Sequence, residues 1–78
     1  MKIKIYGQFC KMYLELLHNV EVAIKKSNKK IELQICNDSE EIWNDGIRYM
    51  PSLKINNRIV TEGKVLSVEQ LLELINKQ

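Results

Sequence analysis

Polar and apolar residues alternate through Lys2-Ile3-Lys4-Ile5-Tyr6, the two-residue period of a strand that buries Ile3 and Ile5. From Lys11 the period lengthens. Cys10, Tyr13, Leu17, Val20 and Ile24 recur at three and four residues, with Leu14, Leu16 and Ala23 widening the stripe. That spacing predicts a helix of about four turns, ended at Ser27-Asn28. Alternation returns in Ile31-Glu32-Leu33-Gln34-Ile35, a second strand. Asn37-Asp38-Ser39 then offers capping oxygens, and Glu40 and Glu41 suit a first helical turn. Ile42, Trp43 and Ile47 share one side of the short helix this predicts. Gly46 within it weakens it, and Met50-Pro51 stops it because the residue before proline is pushed out of the helical region. Ser52-Leu53-Lys54-Ile55 and Arg58-Ile59-Val60-Thr61 read as strands joined at Asn56-Asn57, since asparagine tolerates the positive φ of a two-residue hairpin. Gly63 breaks the chain after them. Ser67 and Gln70 make a capping box for a last helix whose apolar face is Val68, Leu71, Leu72 and Ile75.

The resulting order is β-α-β-α-β-β-α. A β-α-β unit crosses over right-handedly, so the first two strands are parallel neighbours, and the hairpin adds an antiparallel pair on the other side of the first strand. The expectation is an α/β fold with a four-stranded mixed sheet and three helices. The two long helices cover one sheet face well, and the short helix covers the other only in part.

Composition narrows the functions this frame can carry. Hydrophobic residues make up 45% and charged residues 28% of the 78, ordinary values for a chain with a single core. A formal net charge of +2, from twelve basic and ten acidic residues, gives no reason to expect nucleic acid or a membrane surface as partner. The pairs Lys25-Lys26 and Lys29-Lys30 straddle a helix end, where cations favour the carbonyl pole. No basic stretch followed by an apolar run resembles a signal peptide, and no segment approaches the roughly 20 apolar residues of a membrane span. The expectation is a cytoplasmic monomer, whose Cys10 and Cys36 are reduced at rest.

Those two cysteines are the candidates for chemistry. Cys10 lies where a strand turns into a helix, and the free N–H groups at a helix start favour a thiolate. Lys11 adds a positive charge beside it. Cys10 is therefore a candidate nucleophile, the alternative being an inert, half-buried cysteine. Cys36 follows the second strand, and parallel neighbours end on the same sheet edge. It is either a buried structural thiol or a partner for Cys10, if the loops bend close enough for a disulfide. His18 sits beside the apolar stripe and reads as a surface residue. Two cysteines and one histidine at these separations make no zinc site, and no metal or other cofactor is expected.

The strand "KIKIYG" running into a cysteine, and the stretch "MPSLKINNRIVTEGKVLSVEQLLELI", together resemble the thioredoxin superfamily in its minimal form. The likeness covers essentially the whole of residues 1–78, read as one thioredoxin-like domain. It is closest to the small redox-active-disulfide proteins of bacteria and archaea. The resemblance implies thiol–disulfide exchange and a cis Met50-Pro51 bond beside the reactive sulfur; an ordinary trans proline is the other possibility. It also implies that Met50, with Tyr49 nearby, offers backbone groups to an extended substrate. The family motif is C-x-x-C, whereas this chain reads Cys10-Lys11-Met12-Tyr13. Tyr13 stands where the resolving cysteine belongs, on the inward stripe, so it fills core volume or takes part in proton transfer.

Two functions follow from the resemblance. In the first, Cys10 attacks protein or small-molecule disulfides and an external thiol releases the product, a monothiol cycle. In the second, the Met50-Pro51 edge binds an extended peptide without redox turnover. Monothiol glutaredoxins, which hold an iron–sulfur cluster between subunits, are also similar, but their motif's flanking residues are not matched here.

Overall fold

The structure, a computed structural model, describes residues 1–78. Its elements are β1 (Lys2–Tyr6), α1 (Lys11–Ser27), β2 (Glu32–Cys36), α2 (Ser39–Asn44), β3 (Ser52–Ile55), β4 (Arg58–Glu62) and α3 (Val68–Asn76). The strands form one sheet in the order β2-β1-β3-β4, with β1 and β2 parallel and the other pairs antiparallel. It is the expected α/β arrangement.

Sheet register sorts the side chains into two faces. Ile3 and Ile5 stand beside Leu33 and Ile35 on one side and Ile55 and Leu53 on the other. This face packs on Tyr13, Leu16, Val20 and Ala23 of α1 and on Leu71 and Ile75 of α3, the main core. Non-directional burial at the helical and strand periods holds these layers together. The opposite face has a smaller cluster of Tyr6, Cys36, Ile42 and Ile47 beneath α2.

Local chemistry ends each element. Asn28 adopts φ 58 at the α1 C-terminus, and Asn56 and Asn57 take φ 49 and 70 in the hairpin turn, all in the left-handed region that asparagine tolerates. The Asn56 side chain also accepts from the Lys2 N–H at 3.0 Å, tying the turn to β1. Asp38 caps α2 by accepting from the Glu41 N–H at 3.0 Å, and Ser67 and Gln70 form the full capping box of α3.

Three local expectations need correction. The second strand runs from Glu32 to Cys36, shifted one residue towards the C-terminus from the expected window, because its partners on β1 run from Lys2 to Tyr6. The short helix ends at Asn44, before Gly46. Gly46 takes φ 83 and turns the chain, so the helix stops six residues ahead of Met50 and not at the proline. Trp43 does not share the inward side with Ile42 and Ile47. It is 66% exposed, and the Arg48 guanidinium lies over its ring at 4.6 Å. Adjacent residues on a helix point about 100° apart, and the docking of α2 on Tyr6 and Cys36 turns Ile42 inward and leaves Trp43 in solvent.

A polar clamp holds α2 down. Lys4 projects from β1 onto Glu41 and Asp45, the latter at 2.8 Å, and the Tyr6 hydroxyl donates to Asp45 at 2.6 Å. Hydrogen bonds from Lys4 and then Tyr6 hold the Asp45 carboxyl below its usual range. Bonds to the same acids raise the Lys4 ammonium, and burial followed by the Asp45 bond raises the Tyr6 phenol. A depressed carboxyl contributes stability above its unfolded pKa of about 4 and loses it as pH falls through the folded value. The raised Lys4 and Tyr6 contribute below about pH 10 and lose it as pH rises further. Asp45→Asn should therefore cost about 1 kcal/mol in urea unfolding at neutral pH, a figure kept low because the pair is partly solvated. The difference from wild type should narrow as pH falls below about 4 and vanish only once pH is below the depressed folded value; a difference that stays constant throughout that descent would exclude the charge as its source.

Candidate functional site

The site is assembled where β1 ends. Tyr6 pairs with Ser52, so the residues after Tyr6 and those before Ser52 meet at one sheet edge. Gly7 is needed there because a Cβ would strike the Tyr13 ring. Its N–H donates to the Cys36 carbonyl at 3.2 Å, which fixes the path of the chain as it leaves the sheet.

Cys10 occupies the N-cap position of α1 with φ −143 and ψ 167, and its carbonyl accepts the first helical bond, from the Leu14 N–H at 3.0 Å. The residue is exposed, and its side chain makes no capping hydrogen bond. Position 10 is therefore a free thiol at the positive end of a 17-residue helix. The amides of Lys11, Met12 and Tyr13 precede the first intrahelical donor, so they are available to an anion there.

Tyr13 is 4% exposed and belongs to the main core. Phe9 stands edge-on to its ring at 6.0 Å between centroids and 71° between planes. Burial pushes the Tyr13 phenol up, with the Glu21 charge adding to it. Both effects favour the neutral phenol, so Tyr13 is suited to filling volume and poorly suited to accepting a proton.

Facing this corner, the Met50–Pro51 peptide is cis. Pro51 is buried, and its carbonyl accepts from the Gly63 N–H at 2.7 Å. The Ser52 hydroxyl donates to the Tyr49 carbonyl, and the Arg48 N–H donates to Glu62 at 3.2 Å. The turn before β3 is thus tied at several points, whereas the Tyr49 and Met50 side chains are exposed, Tyr49 to 70%. Phe9, 82% exposed, and Met12 are the exposed apolar residues flanking Cys10 in the chain. A shallow depression on the outer side of α1 has Lys11 at one end but runs along Leu14, Glu15, His18 and Asn19, away from the cysteine.

Cys36 is 5% exposed, in the cluster beneath α2. Burial raises its thiol and the Glu41 carboxylate adds to this, against the Asp38 N–H and the Lys4 charge. Cys10 begins a helix on the other face of the sheet. The two cysteines thus reach the same edge on different sides, and the fold does not bring their sulfurs together.

The structure puts Cys10 and Tyr13 at the start of α1, and Tyr49, Met50 and Pro51 on the turn into β3, whose first residue Ser52 pairs with Tyr6 at the end of β1. The clamp of Lys4, Tyr6, Glu41 and Asp45 was missed, although its signal was present. Lys4 and Tyr6 share a strand face at i and i+2, and Glu41 and Asp45 share a helical side at i and i+4. His18 lies on the surface, as expected; it is exposed. No helix is long and apolar enough to cross a membrane.

Comparison with known proteins agrees with this geometry. The family described as "Thioredoxin domain" matches residues 1–76. A protein named "Thioredoxin" from Methanothermobacter thermautotrophicus is 26% identical over 76 residues, covering 97% of this chain and 99% of its own length. No solved structure matches.

Proposed function

The chain belongs to the thioredoxin domain family, and from that premise we propose that it carries out thiol–disulfide exchange through Cys10 alone, with an external thiol completing the cycle. The observation that carries the reading is the contrast within one turn of α1. Cys10 is exposed at the helix start, and position 13 is a buried tyrosine.

In the first step the Cys10 thiolate attacks one sulfur of a disulfide R–S–S–R′. A Cys10–S–S–R bond forms, the R–S–S–R′ bond breaks, and R′–S⁻ leaves and takes up a proton. The sulfur stands exposed and free of side-chain hydrogen bonds at the start of α1, open to an incoming disulfide. Tyr13 carries no sulfur, so the adduct waits for a thiol R″–SH. That thiol attacks as its thiolate, forms R–S–S–R″ and returns Cys10. Cys36 takes no part in this cycle, because it is covered by α2. An extended substrate would lie against Met50, whose backbone groups are outside the β-ladder, with Phe9 and Tyr49 flanking it.

The test is an intermediate that dithiol enzymes resolve quickly. Mixing the reduced chain with a peptide disulfide at neutral pH, quenching with acid and weighing the intact protein should show one peptide half bound to Cys10. Adding a small thiol should remove it. Chain that gains no mass over the course of the reaction would rule out Cys10 as the attacking group.

The exposed apolar side chains of Phe9, Met12, Tyr49 and Met50 favour a second reading, in which this end of the sheet holds a peptide without turnover. The two readings share a surface and differ only in whether the sulfur reacts.

A further inference from the structure

We propose that β2 is the interface through which two copies of this chain associate, the two β2 strands pairing antiparallel so that the two sheets join into one continuous sheet. This goes beyond the exchange chemistry and does not depend on it. It also departs from the monomer expected from the sequence.

The sheet has two open edges, and they are treated differently. At β4, Leu53 faces Thr61 while Lys54 faces Ile59, which leaves Val60 as an extra residue and bends the strand. Arg58 and Glu62 add charge at each end. Bulges and charges of this kind discourage edge pairing. β2 has neither bulge nor proline. Its five residues run in unbroken register with β1 and carry one charge, Glu32.

Backbone geometry shows what that edge offers. The Glu32 N–H donates to the Met1 carbonyl at 2.9 Å and the Cys36 carbonyl accepts from Gly7, so Glu32, Gln34 and Cys36 direct their amide groups at β1. In a parallel pair the alternate residues direct theirs away. The N–H and C=O groups of Leu33 and Ile35 therefore face outward, unpaired.

The side chains along the same edge are apolar. Ile35 is 55% exposed, and Ile31 and Leu33 are only partly buried. The Asn19 amide donates to the Leu66 carbonyl at 2.9 Å, which turns that flank of α1 towards the α3 side. The opposite flank, with partly buried Leu17 and Ile24, then lies on the β2 side. An apolar strip on the helix thus continues the apolar strip on the strand.

Charge selects a second copy as the occupant and also selects the register. When Leu33 of one chain faces Ile35 of the other, the outward amide groups exchange hydrogen bonds in pairs, and the two-fold axis passes between the two Gln34 residues. Carried past the ends of β2, the same register brings Lys30 of each chain, two residues before the strand, opposite Asp38 of the other, two residues after it, whose carboxylate also caps α2; this opposite-charge pair is made twice. Sliding the strands by two residues in one direction sets Glu32 against Asp38, which repel. Sliding them the other way sets Lys30 against Cys36 and forfeits both pairs. Each Cys10 sits beyond an end of the paired strands and stays open.

Sedimentation of the full chain over a concentration series should give a dimer. Ile35→Lys, at an exposed position, should give a monomer with unchanged circular dichroism, weakening association at least about tenfold. Gln34→Cys, made with Cys10→Ser, should cross-link to its own copy when diamide oxidises the two thiols. A non-hydrogen-bonded pair brings Cα atoms to about 4.5 Å, within disulfide reach. Wild type that sediments as a monomer at every concentration overturns the proposal and leaves the edge to other partners. A dimer that survives Ile35→Lys, or one in which the Gln34→Cys chains do not cross-link, overturns it as well.

Discussion

Replacing Cys10 by serine is expected to abolish disulfide reduction at every concentration of added thiol, whereas the wild type should turn over only when a thiol is supplied. The reason lies in the number of sulfurs available to substrate. Cys36 is covered by α2, and its burial favours the protonated, unreactive form. Nothing else at the corner can open a disulfide, since serine is a far weaker nucleophile than a thiolate at neutral pH. The measurement is release of a coloured or fluorescent thiol from a disulfide substrate, with the small thiol's own background subtracted. Peptide affinity should survive the change, because Phe9, Tyr49 and Met50 are untouched. Equal rates for mutant and wild type would leave peptide binding as the only role for this surface.

The second large effect is a gain. Tyr13→Cys should convert the external-thiol cycle into an internal one, with the introduced sulfur attacking the Cys10 adduct, expelling the substrate thiol and closing an internal disulfide with Cys10. The reduced variant should then reduce one equivalent of disulfide with no added thiol, and mass spectrometry should find the internal bond. The same substitution empties a core position, because the Tyr13 ring fills space against Gly7 and packs on Phe9. A loss of about 3 kcal/mol is expected for the reduced form, as for other large-to-small core changes. In a chain of this size that is a large fraction of the total stability, so urea unfolding of both forms belongs beside the activity assay. A variant that folds but stalls as the peptide adduct would show that position 13 cannot reach the Cys10 sulfur.

These two outcomes bear on how position 13 is used. A dithiol site needs a small residue at the base of the helix, and this chain has a large one in its place. Gly7 fits that exchange, since its missing side chain is what admits the ring. The tyrosine is part of how the helix seats on the sheet, so restoring the motif sets chemistry against packing.

The proposed β2 pairing leaves both effects independent of association. Cys10 lies outside the paired strands, so Ile35→Lys should leave peptide adduct formation intact while changing the molecular mass in solution.

Much of the molecule was legible without coordinates, for a physical reason. Strand and helix periods are local, so Lys2–Tyr6 and the stripe from Tyr13 to Ile24 declare their elements and their inward faces. Asn56-Asn57 and the Ser67–Gln70 box act over a few residues, and they too could be read directly. With right-handed crossover added, the sheet order followed. Cys10 at the start of a helix and the Met50-Pro51 junction before a strand were visible in the same way.

What the chain order could not supply was decided by contacts between distant residues. The short helix offered Ile42 and Trp43 as neighbours, and only its docking on Tyr6 and Cys36 chose Ile42 for the inside. The Lys4–Asp45 and Tyr6–Asp45 bonds join residues separated by 41 and 39 positions, and a local pattern carries no information on such pairings. Cys36 is the last residue of β2, at the end of the sheet where β1 also stops. Which side of the sheet its sulfur takes depended on α2 folding over it. Sequence alone therefore determined the elements, their order and the position of Cys10 at a helix start, because those follow from backbone geometry and neighbouring residues. Tertiary structure decided which thiol is covered and which is open, because burial is a property of the assembled layers.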